Sequence, residues 1–123
     1  MKSLLGKLGV ILIGLIVFGF FLVSSANAEL RIKDYKRIKD TEIFKTYILG
    51  VGVGVEWANT VVSNRGQSPL YCAPGKLAIT TENFLQILQD YIEKNPEIIK
   101  PLGPDLPIGL LLLKALQDAF PCK

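Results

Sequence analysis

Tyr71-Cys72-Ala73-Pro74-Gly75 and Phe120-Pro121-Cys122 carry the only two cysteines of the 123-residue chain. The first stretch ends a polar loop and the second closes the sequence. Two segments between them read as amphipathic helices, so a Cys72–Cys122 bond would staple the C-terminus back onto the middle of the domain. Such a bond needs an oxidising compartment. The beginning of the chain bears on that requirement.

Met1-Lys2, with Lys7, makes a basic start, and Leu8 to Val23 is an uncharged run of apolar residues and glycine. Ser24-Ser25-Ala26-Asn27-Ala28 follows, and Ala26 and Ala28 are the small residues that a signal peptidase needs. Basic start, apolar centre and small-residue exit predict a signal peptide over 1–28, cleaved after Ala28. An uncleaved anchor is the alternative. The apolar run of 16 positions falls short of the roughly 20 that span a bilayer. With no cysteine at the exit, a lipoprotein is not expected.

Processing after Ala28 leaves one small domain, 29–123, at a size where a single core is marginal. The formal charge of +3 includes Lys2 and Lys7, so the remainder carries 12 basic and 11 acidic groups, a net +1. That balance gives no argument for nucleic acid or for a membrane surface as partner. Two cysteines in an exported chain favour a disulfide over a metal site. Closing this loop is worth roughly 4 kcal/mol by chain entropy, a large share for so small a domain.

Periodicity places three main helices and an all-α fold. Glu29–Lys39 is charged and reads equally as a lead-in or a short helix. Asp40 or Thr41 caps the first main helix, with Glu42 in its first turn. Ile43, Tyr47, Gly50, Gly54, Trp57 and Val61 then recur at three- and four-residue spacing as one helical stripe. Gly50-Val51-Gly52-Val53-Gly54-Val55 also fits a strand by alternation, but no second strand exists to pair with it. Gly50 and Gly54 would offer a smooth strip for close approach of another helix. The spacing matches neither of the glycine-rich phosphate-binding motifs.

Ser63-Asn64-Arg65-Gly66-Gln67-Ser68-Pro69 is the clearest loop, open to reading as a connector or as a recognition loop on a rigid base. The second main helix starts at a Thr80 or Thr81 cap, and Phe84, Leu88, Tyr91 and Ile92 form its apolar face. Asn95-Pro96 stops it. Pro101, Gly103, Pro104 and Pro107 mark an irregular connection, and Asp105 is the expected cap of a last helix over Ile108 to Ala119. Leu110-Leu111-Leu112-Leu113 covers every side of that helix, which predicts either a fully surrounded helix or, preferably, a subunit interface.

The chain has no histidine. That removes histidine-based nucleophile activation and the commonest zinc ligand. Carboxylate pairs such as Asp90 with Glu93 fall on the polar side of a helix. No enzymatic activity, cofactor or metal is expected.

The order Tyr47-Ile48-Leu49-Gly50-Val51, Tyr71-Cys72-Ala73-Pro74, Tyr91-Ile92-x-x-Asn95-Pro96 and Ala115-Leu116-x-x-Ala119-Phe120-Pro121-Cys122 resembles the Rap/Tai immunity proteins of bacterial type VI secretion systems. The resemblance covers residues 41 to 122. It departs at Asn83, where a glutamine is common, at the glycine run after Gly50, and in lacking the further cysteines of some relatives. It implies a small all-helical periplasmic protein, often a homodimer, with a Cys72–Cys122 disulfide. The implied task is to bind a peptidoglycan-cleaving amidase toxin and block its cleft without catalysis. Asn64, Arg65, Gln67 and Ser68 are then the expected toxin contacts, and Leu110 to Leu113 the expected dimer interface. The competing expectation is a periplasmic acid-stress chaperone similar to HdeA, a small helical dimer that opens at low pH. A membrane-anchored periplasmic domain with a structural role is the third.

Overall fold

The computed structural model describes residues 29–75 and 79–123, with Ser3, Leu4, Lys7 and Gly9 before them. The apolar run after Gly9 and the expected cleavage residues Ala26 and Ala28 lie outside the described residues. Among the described residues from 29 onward, five helices follow in order: α1 (Ile32–Ile38), α2 (Glu42–Asn64), α3 (Thr81–Lys94), α4 (Pro96–Leu102) and α5 (Ile108–Ala119). The chain is all-α, with α2, α3 and α5 as its main helices and a Cys72–Cys122 disulfide.

Local chemistry sets the boundaries. Thr41 caps α2 by accepting from the Phe44 N–H at 3.2 Å, while its hydroxyl donates to the Ile38 carbonyl at the end of α1. Thr80 and Asn83 form a reciprocal capping box at the start of α3, which satisfies two otherwise orphaned N–H groups. Asn95 ends α3 by donating from both backbone and side chain to the Tyr91 carbonyl. Pro96 then starts α4, where its missing N–H costs nothing. Asp105, the expected cap of α5, does not cap it. Pro107 holds that position without a side-chain bond, and Asp105 instead pairs with Lys33 at 2.6 Å.

Each main helix buries one stripe. The buried residues are Phe44, Ile48 and Gly52 on α2, Phe84, Leu88 and Tyr91 on α3, and Ile108, Leu111, Leu112, Ala115 and Leu116 on α5. The spacings are those of a helix facing a core. Helix α3 packs most extensively on α5 and next on α2, and α5 also meets α2. Tyr35 brings α1 onto this core edge-on to Phe44, with ring centroids 5.7 Å apart.

Two expectations are corrected here. The α2 stripe at Ile43, Gly50, Gly54, Trp57 and Val61 is the outer face, with Ile43 79% and Trp57 69% exposed. The close approach is made by Gly52 instead: a Cβ built there would lie 2.5 Å from the Phe84 ring, whereas one at Gly50 or Gly54 meets nothing within 4 Å. Helical periodicity identified an apolar stripe correctly but not which of two stripes faces inward. The leucine run is also divided. Leu111 and Leu112 are fully buried and Leu113 is half-buried, leaving Leu110 as the exposed member. Leu111 and Leu112 belong to the core of one chain because α5 is covered by both α2 and α3.

A short antiparallel strap ties the start of the described domain to the connection before α5. Ile32 donates its N–H to the Leu106 carbonyl, Lys33 to Pro104, and Ile108 to Leu30, at 2.9 to 3.0 Å. The side chain of Arg31 donates to the Asp105 carbonyl alongside. Lys33, by hydrogen bond and then by charge, holds the Asp105 carboxyl below its usual pKa. A lowered carboxyl pKa contributes stability above the unfolded value and loses it as pH falls through the folded value. Asp105→Asn should therefore lower Tm slightly at neutral pH, with the difference from wild type closing below about pH 4.

Gly52→Ala should destabilise the fold by about 1–3 kcal/mol, because the Phe84 ring is fully buried and has no room to withdraw. Gly50→Ala and Gly54→Ala should stabilise it by roughly 0.5–1 kcal/mol each. Denaturant midpoints at unchanged m-value check these opposite signs.

Candidate recognition loop and its disulfide base

Helix α2 runs out where its apolar sequence gives way to Ser63-Asn64-Arg65-Gly66. The Gly66 N–H donates to the Ser63 carbonyl and the Gln67 N–H to the Val62 carbonyl, with Gly66 at φ 72°. This is a Schellman termination, and it needs the left-handed conformation that glycine adopts without penalty. Asn64, Arg65, Gln67 and Ser68 are all exposed around this turn. The turn thus leaves the four expected contact residues exposed within one short stretch. Arg65 has no acidic partner among the described residues, so its guanidinium is available for bidentate recognition.

The return strand of the loop is fixed from three sides. Asn59, one turn before the end of α2, accepts from the Leu70 N–H at 2.6 Å and donates to the Tyr71 carbonyl at 3.0 Å. Gln117 of α5 donates to the Leu70 carbonyl at 3.1 Å. The Cys72 N–H donates to the Phe120 carbonyl at 2.8 Å, next to the disulfide itself. Both cysteines are exposed, so the bond acts by linking two chain segments rather than by filling the core.

Tyr71 is the buried foot of the loop, with its ring 6.4 Å from that of Phe120. Burial, and secondarily the nearby charge of Glu56, pushes its hydroxyl above the ordinary phenol pKa, so it stays neutral. A groove of about 420 Å³ runs beside the loop, lined by Glu56, Asn59, Thr60, Ser63, Pro69 and Tyr71. The surface is polar and exposed at the turn, with a polar groove at its side. It is suited to hydrogen bonding with a partner.

Asn59 and Gln117 were not singled out by the sequence. The available signal was Asn59 itself, an amide in a helix interior beside Trp57, Ala58, Val61 and Val62. Asparagine is unfavourable there unless a tertiary contact uses it.

No protein-family model, curated protein or solved structure matches the chain. Among the described residues no helix is long and apolar enough to cross a membrane, and no three metal-ligating side chains cluster.

Asn59→Ala leaves the Leu70 N–H and Tyr71 carbonyl without this partner and should cost about 1–3 kcal/mol. It should also speed tryptic cleavage after Arg65, read by mass spectrometry under native conditions. Reducing the disulfide, which spans a sequence separation of 50, should lower unfolding free energy by roughly 4 kcal/mol. Denaturation with and without reductant measures that loss.

Proposed function

We propose that the protein is a periplasmic immunity protein that binds a peptidoglycan-cleaving amidase of a type VI secretion system and plugs its cleft. The observation that carries this reading is the pre-organised loop at 63–70. A polar turn is held by a Schellman cap, by Asn59 and by a disulfide base. A loop already ordered before contact loses little conformational entropy on binding, which favours tight inhibition. Blocking is steric and calls on no catalytic group, cofactor or metal of the inhibitor. The export signature and the motif order described above support the same proposal.

The acid-opened chaperone is less well supported. No buried side chain among the described residues is a carboxylate or carries a charge. Protonation therefore has no internal ion pair or carboxylate through which to open the core.

Self-association belongs to the proposal, but its surface is moved. With Leu111 and Leu112 in the core, we assign it to the outer face of α2. Ile43, Gly50, Val53, Gly54, Trp57 and Val61 are all exposed there, and none is charged. The exposed stripe is symmetric about residue 52 at two pairs: Ile43 maps onto Val61 and Gly50 onto Gly54, while Trp57 maps onto Tyr47, which is half-buried against the core. A second copy lying antiparallel across a two-fold axis would therefore meet large residues at both ends and two glycine backbones at the centre. Trp57→Glu should shift the protein to monomer by analytical ultracentrifugation. Loss of the dimer in Leu110→Glu but not in Trp57→Glu would place the contact on α5.

The decisive experiment is capture of periplasmic and secreted amidases from the source organism by the oxidised protein. One amidase should be retained and its peptidoglycan cleavage lost. Arg65→Ala with Gln67→Ala should weaken that complex at least tenfold, about 1.4 kcal/mol, while leaving Tm unchanged. Failure to capture any amidase under oxidising conditions would overturn the proposal.

A further inference from the structure

A second concavity lies away from the loop, between α1, α3 and α4, and shares no lining residue with the groove beside the loop. Its volume is about 410 Å³, within the size range of small-ligand sites. The walls are Ile32 and Tyr35 of α1, Ile92 of α3, and Pro96 and Ile99 of α4. Ile32, Tyr35, Ile92 and Ile99 are only half-buried by the fold, so their remaining apolar surface lines the groove. Three lysines, Lys33, Lys36 and Lys100, also line it, and all three are exposed. Lys33 is engaged by Asp105, whereas Lys36 and Lys100 make no ion pair with a described residue. The groove therefore combines an apolar floor with an uncompensated cationic edge.

We infer that this groove binds a single-chain amphiphile with an anionic head. The chain would cover Ile32, Ile92 and Ile99, and the head would lie between Lys36 and Lys100. Charge complementarity selects the head, since both ammonium groups lack an internal partner. Wall length favours a linear chain, which needs no minimum contact length, over a partner helix. Helices α1 and α4 have 7 residues each, so the walls run only about 10 Å and would seat no more than two turns of a partner helix, short of the i, i+3, i+4, i+7 anchors by which helices dock in grooves. The strap from Leu30 to Lys33 fixes α1 against the connection before α5, which keeps this wall in place without a ligand. The inference is independent of the immunity proposal, because the loop residues take no part in it.

Calorimetric titration of the purified, oxidised protein with three twelve-carbon amphiphiles below their micelle concentrations tests it. Sodium dodecanoate should bind saturably at one per chain, at least tenfold tighter than dodecyltrimethylammonium or dodecyl maltoside. Lys36→Glu with Lys100→Glu should reverse the preference between the two charged ligands, and Lys36→Arg with Lys100→Arg should preserve it. Ile99→Gln should weaken dodecanoate at least tenfold, with unchanged far-UV circular dichroism as the fold control. No saturable dodecanoate binding, equal affinity for all three ligands, or an unaltered preference in the double charge reversal would each overturn the inference. Saturable binding of an acidic peptide in place of dodecanoate would overturn it as well and assign the groove to a protein partner.

Discussion

The packing of the domain depends on how closely α3 approaches the backbone of α2, and that approach is made by the Phe84 ring against Gly52. A side chain of any size at 52 would intrude on the ring. Glycine in a helix interior costs about 1 kcal/mol relative to alanine, and here the cost is offset by full burial of Phe84. With this contact made, Phe44 and Ile48 continue the same face of α2 toward its start. Leu88 and Tyr91 continue α3, and α5 closes over both with five buried side chains. The neighbouring glycines have no comparable task inside the chain and are left on the surface.

A core of twelve buried side chains among the described residues is small, and backbone pairing and a covalent bond add to the apolar contacts of Leu30, Ile32 and Phe120 with it. Residues 30–33 pair with 104–108 through backbone hydrogen bonds and the Lys33–Asp105 contact. The C-terminus is tied to residue 72 by the disulfide and by the Cys72–Phe120 backbone bond. Both devices act on the outermost described stretches, 30–33 and 120–122, and not on the helix core. They also shape the surface. The strap positions α1 as one wall of the lysine-edged groove, and the disulfide end supports the loop that follows α2.

Helix α2 unites these features because it serves the fold and the proposed contacts at once. Its inner face carries Phe44, Ile48 and Gly52, an exposed stripe from Ile43 to Val61 is uncharged and apolar, and its C-terminal turn becomes the exposed polar loop. Asn59 works between these regions, using a position in the helix to order backbone beyond it. The backbone of the loop is thereby held by hydrogen bonds while the side chains of Asn64, Arg65, Gln67 and Ser68 remain exposed. That combination is what a pre-organised binding surface requires.

Much of the fold was legible in the sequence because helix periodicity, capping and termination are local. Thr41, Thr80, Gly66 and Asn95-Pro96 act within about four residues of themselves, so the class and the approximate helix ends follow from short stretches. The disulfide followed from there being only two cysteines behind an export signature. The exposed stretch at Asn64, Arg65, Gln67 and Ser68 was legible for the same local reason, a turn former after an apolar run. Tertiary structure alone decided the rest. It chose Gly52 over Gly50 and Gly54, sent Trp57 outward, drew Leu111 and Leu112 into the core, gave Asp105 to Lys33 and gave Asn59 to the loop. Each of those outcomes depends on a partner more than ten residues away. An apolar stripe or a polar side chain in one segment records what it can bury or bond, but not which distant segment will arrive to meet it.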